Sequence, residues 1–132
     1  MTTKTILFIH CNSTVREVVQ DCLIYLGGWQ VISPDSLSDA LHDAIESRPD
    51  AIVLNFSGIS TDHFAFLNTL NTQTETQQIP VVLIVPGAKW FSSQQLQQLN
   101  VLGVIDDSTS PIELPLAIAK LLNWGEEVCL AR

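Results

Sequence analysis

Residues 48–58, RPDAIVLNFSG, decide the fold class of this chain. Pro49 ends any preceding helix, and the unbroken apolar run 51–54 is typical of a strand covered on both faces in a parallel sheet. In sheets of that kind, ligands gather beyond the carboxyl ends of the strands. This strand therefore delivers the neutral amide Asn55 to the edge where a reactive group is expected.

The segments on either side repeat the alternation of strand and helix. Further strands are predicted at 5–10, 29–33, 79–85 and 103–106. Helices are predicted at 13–26, 36–47, 64–70, 91–100 and 114–124. Five such units predict an α/β fold, a flavodoxin-like doubly wound five-stranded parallel sheet in the order 2-1-3-4-5 with helices on both faces. The domain is expected to span 1–123, with a C-terminal tail at 124–132.

Several helix positions carry specific expectations. Ser36 with Asp39 marks the start of the second helix, and Ser110 with Glu113 resembles a capping box before the fifth. Pro115 is expected to bend the start of that last helix. Apolar residues follow helical spacing in the first helix: Val15, Val18, Val19, Cys22, Leu23 and Leu26.

Charge and composition narrow the range of partners. The 132 residues include fourteen Asp plus Glu but six Lys plus Arg, a formal net charge of −8, which disfavours binding to nucleic acid or to an anionic membrane surface. No apolar run reaches the roughly 18 residues of a membrane-spanning helix, and the amino-terminal stretch lacks the features of a leader peptide. Three cysteines without CxxC spacing favour reduced thiols and a cytoplasmic location.

The predicted topology places a crevice between the ends of the first and third strands. Its expected lining is His10, Cys11 and Asn12 from the first strand and Asn55 from the third.

Almost the whole chain resembles a response-regulator receiver domain. The resemblance rests on TILFIH, VREVVQDCLIYLGGWQV, ALHDAIESRPDAIVLN, IPVVLIV, LGV and SPIEL, in that order along the chain. It implies a site in which an acidic pair after the first strand holds Mg²⁺ and an Asp ending the third strand accepts a phosphoryl group. It also implies a hydroxyl residue ending the fourth strand, an aromatic switch residue near the fifth, and a Lys before the proline of the last helix.

The residues at those positions differ from the family pattern. His10 and Cys11, followed by Asn12, stand at the acidic pocket, and Asn55 stands at the phospho-acceptor position. An amide lacks the anionic oxygen that attacks phosphorus, and imidazole and thiolate suit softer metals than Mg²⁺.

The residues at the remaining switch positions also differ from the family pattern. Val85 replaces the hydroxyl residue, Ser110 replaces the Lys, and Asp107 replaces the aromatic residue. The resemblance thus implies a pseudo-receiver without catalytic activity, cofactor or metal ion. We expect a phosphorylation-independent interaction module of bacterial two-component-type signalling, a stand-alone receiver without an output domain.

Two other function classes stay open. A thiol or metal sensor centred on Cys11 with His10 is one, although neighbouring strand residues point to opposite faces and chelate poorly together. The same divergence argues against a Cys–His hydrolase. A flavodoxin-like cofactor binder is the other alternative.

A partner surface is expected around the fourth helix. Trp90 and Phe91 precede uncharged amides that include Gln94, Gln95 and Gln98, and aromatic residues beside few charges suit a protein contact. Alternatively Phe91 is core and the glutamines are merely solvated. In receiver-like proteins the fourth helix, fifth strand and fifth helix form this face, so another signalling protein or a second copy is the expected partner.

Overall fold

The computed structural model describes residues 4–10, 13–55, 61–85, 93–98 and 100–124. Strands and helices alternate along these residues. The strands are β1 Thr5–Ile9, β2 Gln30–Ile32, β3 Ala51–Asn55, β4 Val81–Val85 and β5 Val101–Asp106. The helices are α1 Ser13–Tyr25, α2 Leu37–Ser47, α3 Thr61–Thr72, α4 Ser93–Gln98 and α5 Leu114–Leu122. The strands form one parallel sheet in the order β2-β1-β3-β4-β5, which confirms the predicted fold class.

The sheet carries an apolar core on each face. Side chains alternate along a strand, so Ile6 and Phe8 of β1 join one core, whereas Leu7 and Ile9 join the other. Every residue of β3 and β4 is buried, which explains their unbroken apolar runs. Complete burial of each such side chain contributes about 1.5–3 kcal/mol of transfer free energy.

Different helices cover the two faces. Val19 and Leu23 of α1 pack with Leu114 and Ile118 of α5 on the Phe8 face. The opposite face is covered by α2 and α3, whose buried residues are Ala40, Ala44, Phe66, Leu67 and Leu70. No helix within the described ranges is long and apolar enough to cross a bilayer.

One predicted helix cap is confirmed and the other is wrong. The Ser36 hydroxyl accepts the backbone N–H of Asp39 at 3.1 Å and caps α2. Before α5, the Ser110 carbonyl instead accepts the N–H groups of Glu113 and Leu114 in a turn. Glu113 is the N-cap of α5, so Pro115 lies in its first turn, where a missing N–H removes no helical hydrogen bond.

Some predicted element bounds are also wrong. β5 begins at Val101, and its pairing with β4 shifts register between Val81 and Val82. α3 continues to Thr72, into the predicted connector. Beyond it, the buried hydroxyl of Thr76 donates to the Leu70 carbonyl at 2.8 Å and satisfies an acceptor near the helix end.

Trp124, assigned from sequence to the tail, packs against the domain. Its ring meets Trp29 edge-on with centroids 5.6 Å apart, and Lys4 Nζ lies 5.3 Å from its centroid. The backbone N–H of Trp124 also donates to the Ala119 carbonyl at 2.7 Å, which fixes Trp124 to the end of α5.

The apolar residues of α1 do not all face the core. Val19 and Leu23 are buried, but Val15 and Val18 expose 41% and 49% of their surface. The apolar positions of this helix cover a wider arc than the sheet can bury, so helical spacing alone overestimated its core face.

Gly27 is a point where the α1–β2 turn has no room for a side chain. A methyl group there would lie 2.6 Å from the Leu23 carbonyl oxygen and 2.7 Å from the Trp29 ring. We expect Gly27→Ala to lower the free energy of unfolding by about 1–3 kcal/mol, because the buried turn must move apart. Urea unfolding followed by circular dichroism measures this loss.

Gly28→Asn is the matched control. Gly28 is exposed with φ at 73°, a left-handed conformation that Asn adopts at modest cost. The packing explanation is wrong if Gly27→Ala unfolds at the same urea concentration as this control and the parent chain.

Candidate functional site

Strand pairing and side-chain alternation bring His10 and Asn55 together. β1 and β3 are adjacent, with Ile9 paired to Leu54, so the next residue of each chain lies at the same level. His10 follows Phe8 by two residues, and Asn55 follows Val53 by two, so both face the side covered by α1 and α5. The predicted meeting of these two residues at the carboxyl edge is therefore found in the structure.

A crevice of about 340 Å³ opens at this point between α1 and the start of α5. It is lined by Phe8, His10, Val15, Val19, Asn55, Ile84, Asp107, Thr109, Pro111 and Leu114. Most of these residues are apolar, and the polar groups are an imidazole, an amide, a carboxylate and a hydroxyl. The crevice thus has the make-up of a site for an apolar group with a few polar contacts.

His10 is held towards its neutral form. Burial lowers the pKa of the imidazole below its ordinary value of 6.5, and the guanidinium of Arg16 lowers it further. The His10 ring also packs against Phe8, with centroids 5.9 Å apart. A neutral ring at this place can accept or donate one hydrogen bond but supplies no charge to an anion.

Asn55 is buried at the end of β3, where it pairs in register with Ile84 of β4. A carboxylate in the same position would pay a desolvation cost of several kcal/mol unless a cation or donors surrounded it. The amide avoids that cost, so β3 can end in a buried polar residue without an ion.

The loop between β5 and α5 provides the remaining polar wall. The Asp107 N–H donates to the Val85 carbonyl at 3.0 Å, which holds Asp107, directly after β5, beside the last residue of β4. The Asp106 carboxylate and carbonyl accept the N–H groups of Ser108 and Thr109 and tighten the turn. Asp107 is exposed and Thr109 is half-buried at the crevice wall.

Two of the predicted switch positions do not line the crevice. Val85 is buried in the core on the opposite face, with α2 and α3, because it is offset by one residue from Ile84. Ser110 is exposed, between the lining residues Thr109 and Pro111. The structure therefore groups His10, Asn55 and Asp107 and separates Val85 and Ser110 from them.

Other predicted site residues lie outside the described part of the chain. These are Cys11, Asn12, Trp90 and Phe91, together with the side chain of Gln95. Gln94 and Gln98 are exposed on α4, as a contact surface requires. Beside them, a shallow groove of about 530 Å³ is rich in amides: Gln77, Gln78, Gln97 and Asn100.

Sequence reasoning missed part of the crevice wall. Thr109, Leu114 and Val15 come from separate segments that meet only when α1 packs beside α5. The Ser-Thr-Ser-Pro turn at 108–111 follows a strand end and was the one available signal.

The described residues contain no group of three or more His, Cys, Asp and Glu side chains that could hold a metal ion. Among the described residues that line the crevice, only Asp107 is a carboxylate. Mg²⁺ favours several oxygen ligands in octahedral geometry, so the described donors alone do not fit that ion.

Comparison with known proteins identifies structures that have the same fold. No protein-family model and no curated protein matches the sequence. Solved structures do match. A Vibrio cholerae chemotaxis response regulator has a TM-score of 0.79 at 18% identity, covering 91% of this chain and 99% of that one.

Two further neighbours agree. A Chloroflexus aurantiacus response regulator has a TM-score of 0.76 at 18% identity, covering 92% and 99% of the two chains. The receiver domain of a Pseudomonas aeruginosa sensor histidine kinase has a TM-score of 0.75 at 17% identity, with the same coverage, and holds a magnesium ion in its active-site cleft. This chain has the fold of response-regulator receiver domains.

The depressed pKa of His10 predicts a pH-dependent stability. Between the folded pKa and the unfolded value near 6.5, the unfolded chain binds more protons, so stability falls as pH drops through that window. We expect His10→Gln to lose less unfolding free energy than the parent between about pH 7.5 and pH 5.5. Urea unfolding of both chains at the two pH values provides the comparison.

An NMR titration of His10 provides the independent control. An imidazole that titrates at or above its ordinary pKa, or an identical pH dependence in the two proteins, would contradict the proposed burial effect.

Proposed function

We propose that this chain is a phosphorylation-independent protein-interaction module of bacterial two-component-type signalling, a pseudo-receiver rather than an enzyme. The observation that carries the proposal is Asn55, an amide that ends β3 inside the crevice. In the receiver family that the chain resembles, the corresponding group is the aspartate that receives the phosphoryl group.

The proposal rests on the chemistry of the crevice. Acyl-phosphate formation needs an anionic oxygen as nucleophile and a divalent cation that offsets the phosphoryl charge. Asn55 lacks the anionic oxygen, and His10 is held towards its uncharged form. The Pseudomonas receiver domain holds magnesium in its cleft, whereas the walls of this crevice are mainly aliphatic and aromatic.

A receiver fold without phosphotransfer acts through its surfaces. We propose another signalling protein or a second copy of the chain as partner, through α4, β5 and α5. Leu102 of β5 exposes 50% of its surface and lines the amide-rich groove, and Gln94 and Gln98 are exposed on α4. Exposed apolar surface next to uncharged polar side chains supports such a contact.

Phosphoryl mimics and phosphoryl donors test directly whether the chain can be phosphorylated. We expect beryllofluoride with Mg²⁺ to leave the melting temperature of the parent chain unchanged, because Asn55 offers no carboxylate to coordinate beryllium. Acetyl phosphate with Mg²⁺ should give no phosphorylated species by intact-protein mass spectrometry.

A restored variant serves as the positive control. His10→Asp, Cys11→Asp and Asn55→Asp together return three carboxylates to the positions that the resemblance assigns to the family site. We expect this variant to gain a Mg²⁺-dependent melting shift with beryllofluoride. A phosphoryl adduct on the parent chain, or a Mg²⁺-dependent shift without the substitutions, would refute the proposed function.

A further inference from the structure

Asn55 is the most deeply buried of the described polar residues that line the crevice. It exposes 9% of its surface, and its side-chain amide makes no hydrogen bond to another described residue. Burying an amide without a hydrogen-bond partner is unfavourable. A ligand that pairs with Asn55 therefore satisfies a polar group that the folded chain already holds at the crevice.

The amide of Asn55 selects the kind of hydrogen-bonding group that pairs with it. A primary amide presents an N–H donor beside a carbonyl acceptor. Its complement is a second amide whose N–H and carbonyl point the same way, as in a lactam ring or another primary amide. Two hydrogen bonds then form at once, whereas a lone carbonyl satisfies only the donor.

The charges around the crevice disfavour an ionised ligand. The described lining contains no Lys or Arg, and Arg16 is engaged by the Pro34 carbonyl at 3.1 Å and by Asp35 at 3.5 Å. An anion therefore finds no cationic partner in the lining. The carboxylate of Asp107 is exposed, so solvent screens its attraction for a cation. The guanidinium of Arg16 also acts on His10, where it lowers the pKa of the imidazole and would repel a bound cation.

Apolar side chains make up most of the crevice lining and set the shape of the ligand. They come from four elements and include Phe8, Val15, Val19, Ile84 and Leu114. The volume of about 340 Å³ lies within the range of about 300–1,000 Å³ that is typical of small-molecule sites. It also exceeds a cavity of about 150 Å³, which holds benzene. A compound of one or two fused rings therefore fits, with its apolar edges against these side chains.

We propose that the crevice binds a small uncharged ring compound with a lactam or primary-amide group, which pairs with Asn55 through two hydrogen bonds. The ring packs against the apolar lining, and the amide edge of the ligand lies at the end of β3. The inference rests on the proposed function, since an uncharged ligand here occupies the place that an ion and a phosphoryl group hold in the family.

Four bicyclic compounds of similar size test the ligand class on the whole chain. The probe is 2-quinolone, a lactam with an N–H group beside its carbonyl, and 1-methyl-2-quinolone lacks that donor. Quinoline-2-carboxylate is the anionic control and 1-methylquinolinium the cationic one. We expect 2-quinolone to bind roughly tenfold more tightly than each of the other three, with ¹⁵N chemical-shift changes at His10, Asn55 and Asp107.

Asn55→Asp tests the hydrogen-bonding pair. A carboxylate has nearly the shape of the amide but lacks its N–H, so it repels the lactam carbonyl while it still accepts the lactam N–H. In magnesium-free buffer we expect this variant to bind 2-quinolone roughly tenfold more weakly than the parent chain does. Circular dichroism checks that the variant is folded.

Val15→Trp tests occupancy of the crevice without a change at Asn55. Val15 and Val18 expose 41% and 49% of their surfaces on α1, and of the two it is Val15 that lines the crevice. We expect Val15→Trp to weaken the binding of 2-quinolone several-fold, because the larger side chain takes up part of the volume. Val18→Trp is the matched control and should bind like the parent chain.

The inference is wrong if 2-quinolone fails to bind at millimolar concentration or if any of the other three compounds binds equally well. It is also wrong if the shift changes are confined to the amide-rich groove, or if Asn55→Asp and Val15→Trp both bind like the parent chain. The response to beryllofluoride tests the proposed function separately. A chain that responds neither to beryllofluoride nor to 2-quinolone keeps the proposed function and loses this inference.

Discussion

The parallel pairing of β1 with β3 is the constraint on which the rest of the structure depends. Because Ile9 is paired with Leu54 and side chains alternate, His10 and Asn55 must emerge together on the face that α1 and α5 cover. A shift of one residue in this pairing would send one of them into the α2–α3 core. The buried residues of both strands fix that register, and they thereby fix the composition of the crevice.

The fold was predictable from sequence because its central strands are uniformly apolar. The run 51–54 can be buried only between two layers of helices, and its repetition at 79–85 leaves few alternatives to a doubly wound sheet. The meeting of His10 and Asn55 followed from that topology. Val85 was assigned to the same site by its position along the strand, but alternation turns it to the opposite core.

Features that depend on helix packing were not predictable. Thr109 and Leu114 line the crevice from either end of the turn at 110–113, and the capping-box pattern did not predict that turn. Likewise, the sequence of α1 shows how many apolar residues it carries but not how many the sheet can cover. The apolar residues of α1 that stay exposed can be identified only from the structure, in which α5 packs beside α1.

The contact between Trp29 and Trp124 gives the chain an internal optical probe. Helices run antiparallel to the strands they cover. Therefore α5 starts at the crevice, at the carboxyl ends of the strands, and ends beside Lys4, where the strands begin. Two indoles in edge-on contact couple electronically, and their near-ultraviolet circular dichroism reports the seating of the far end of α5. Near-ultraviolet circular dichroism can thus show whether a ligand that occupies the crevice also moves α5, the helix that forms its wall.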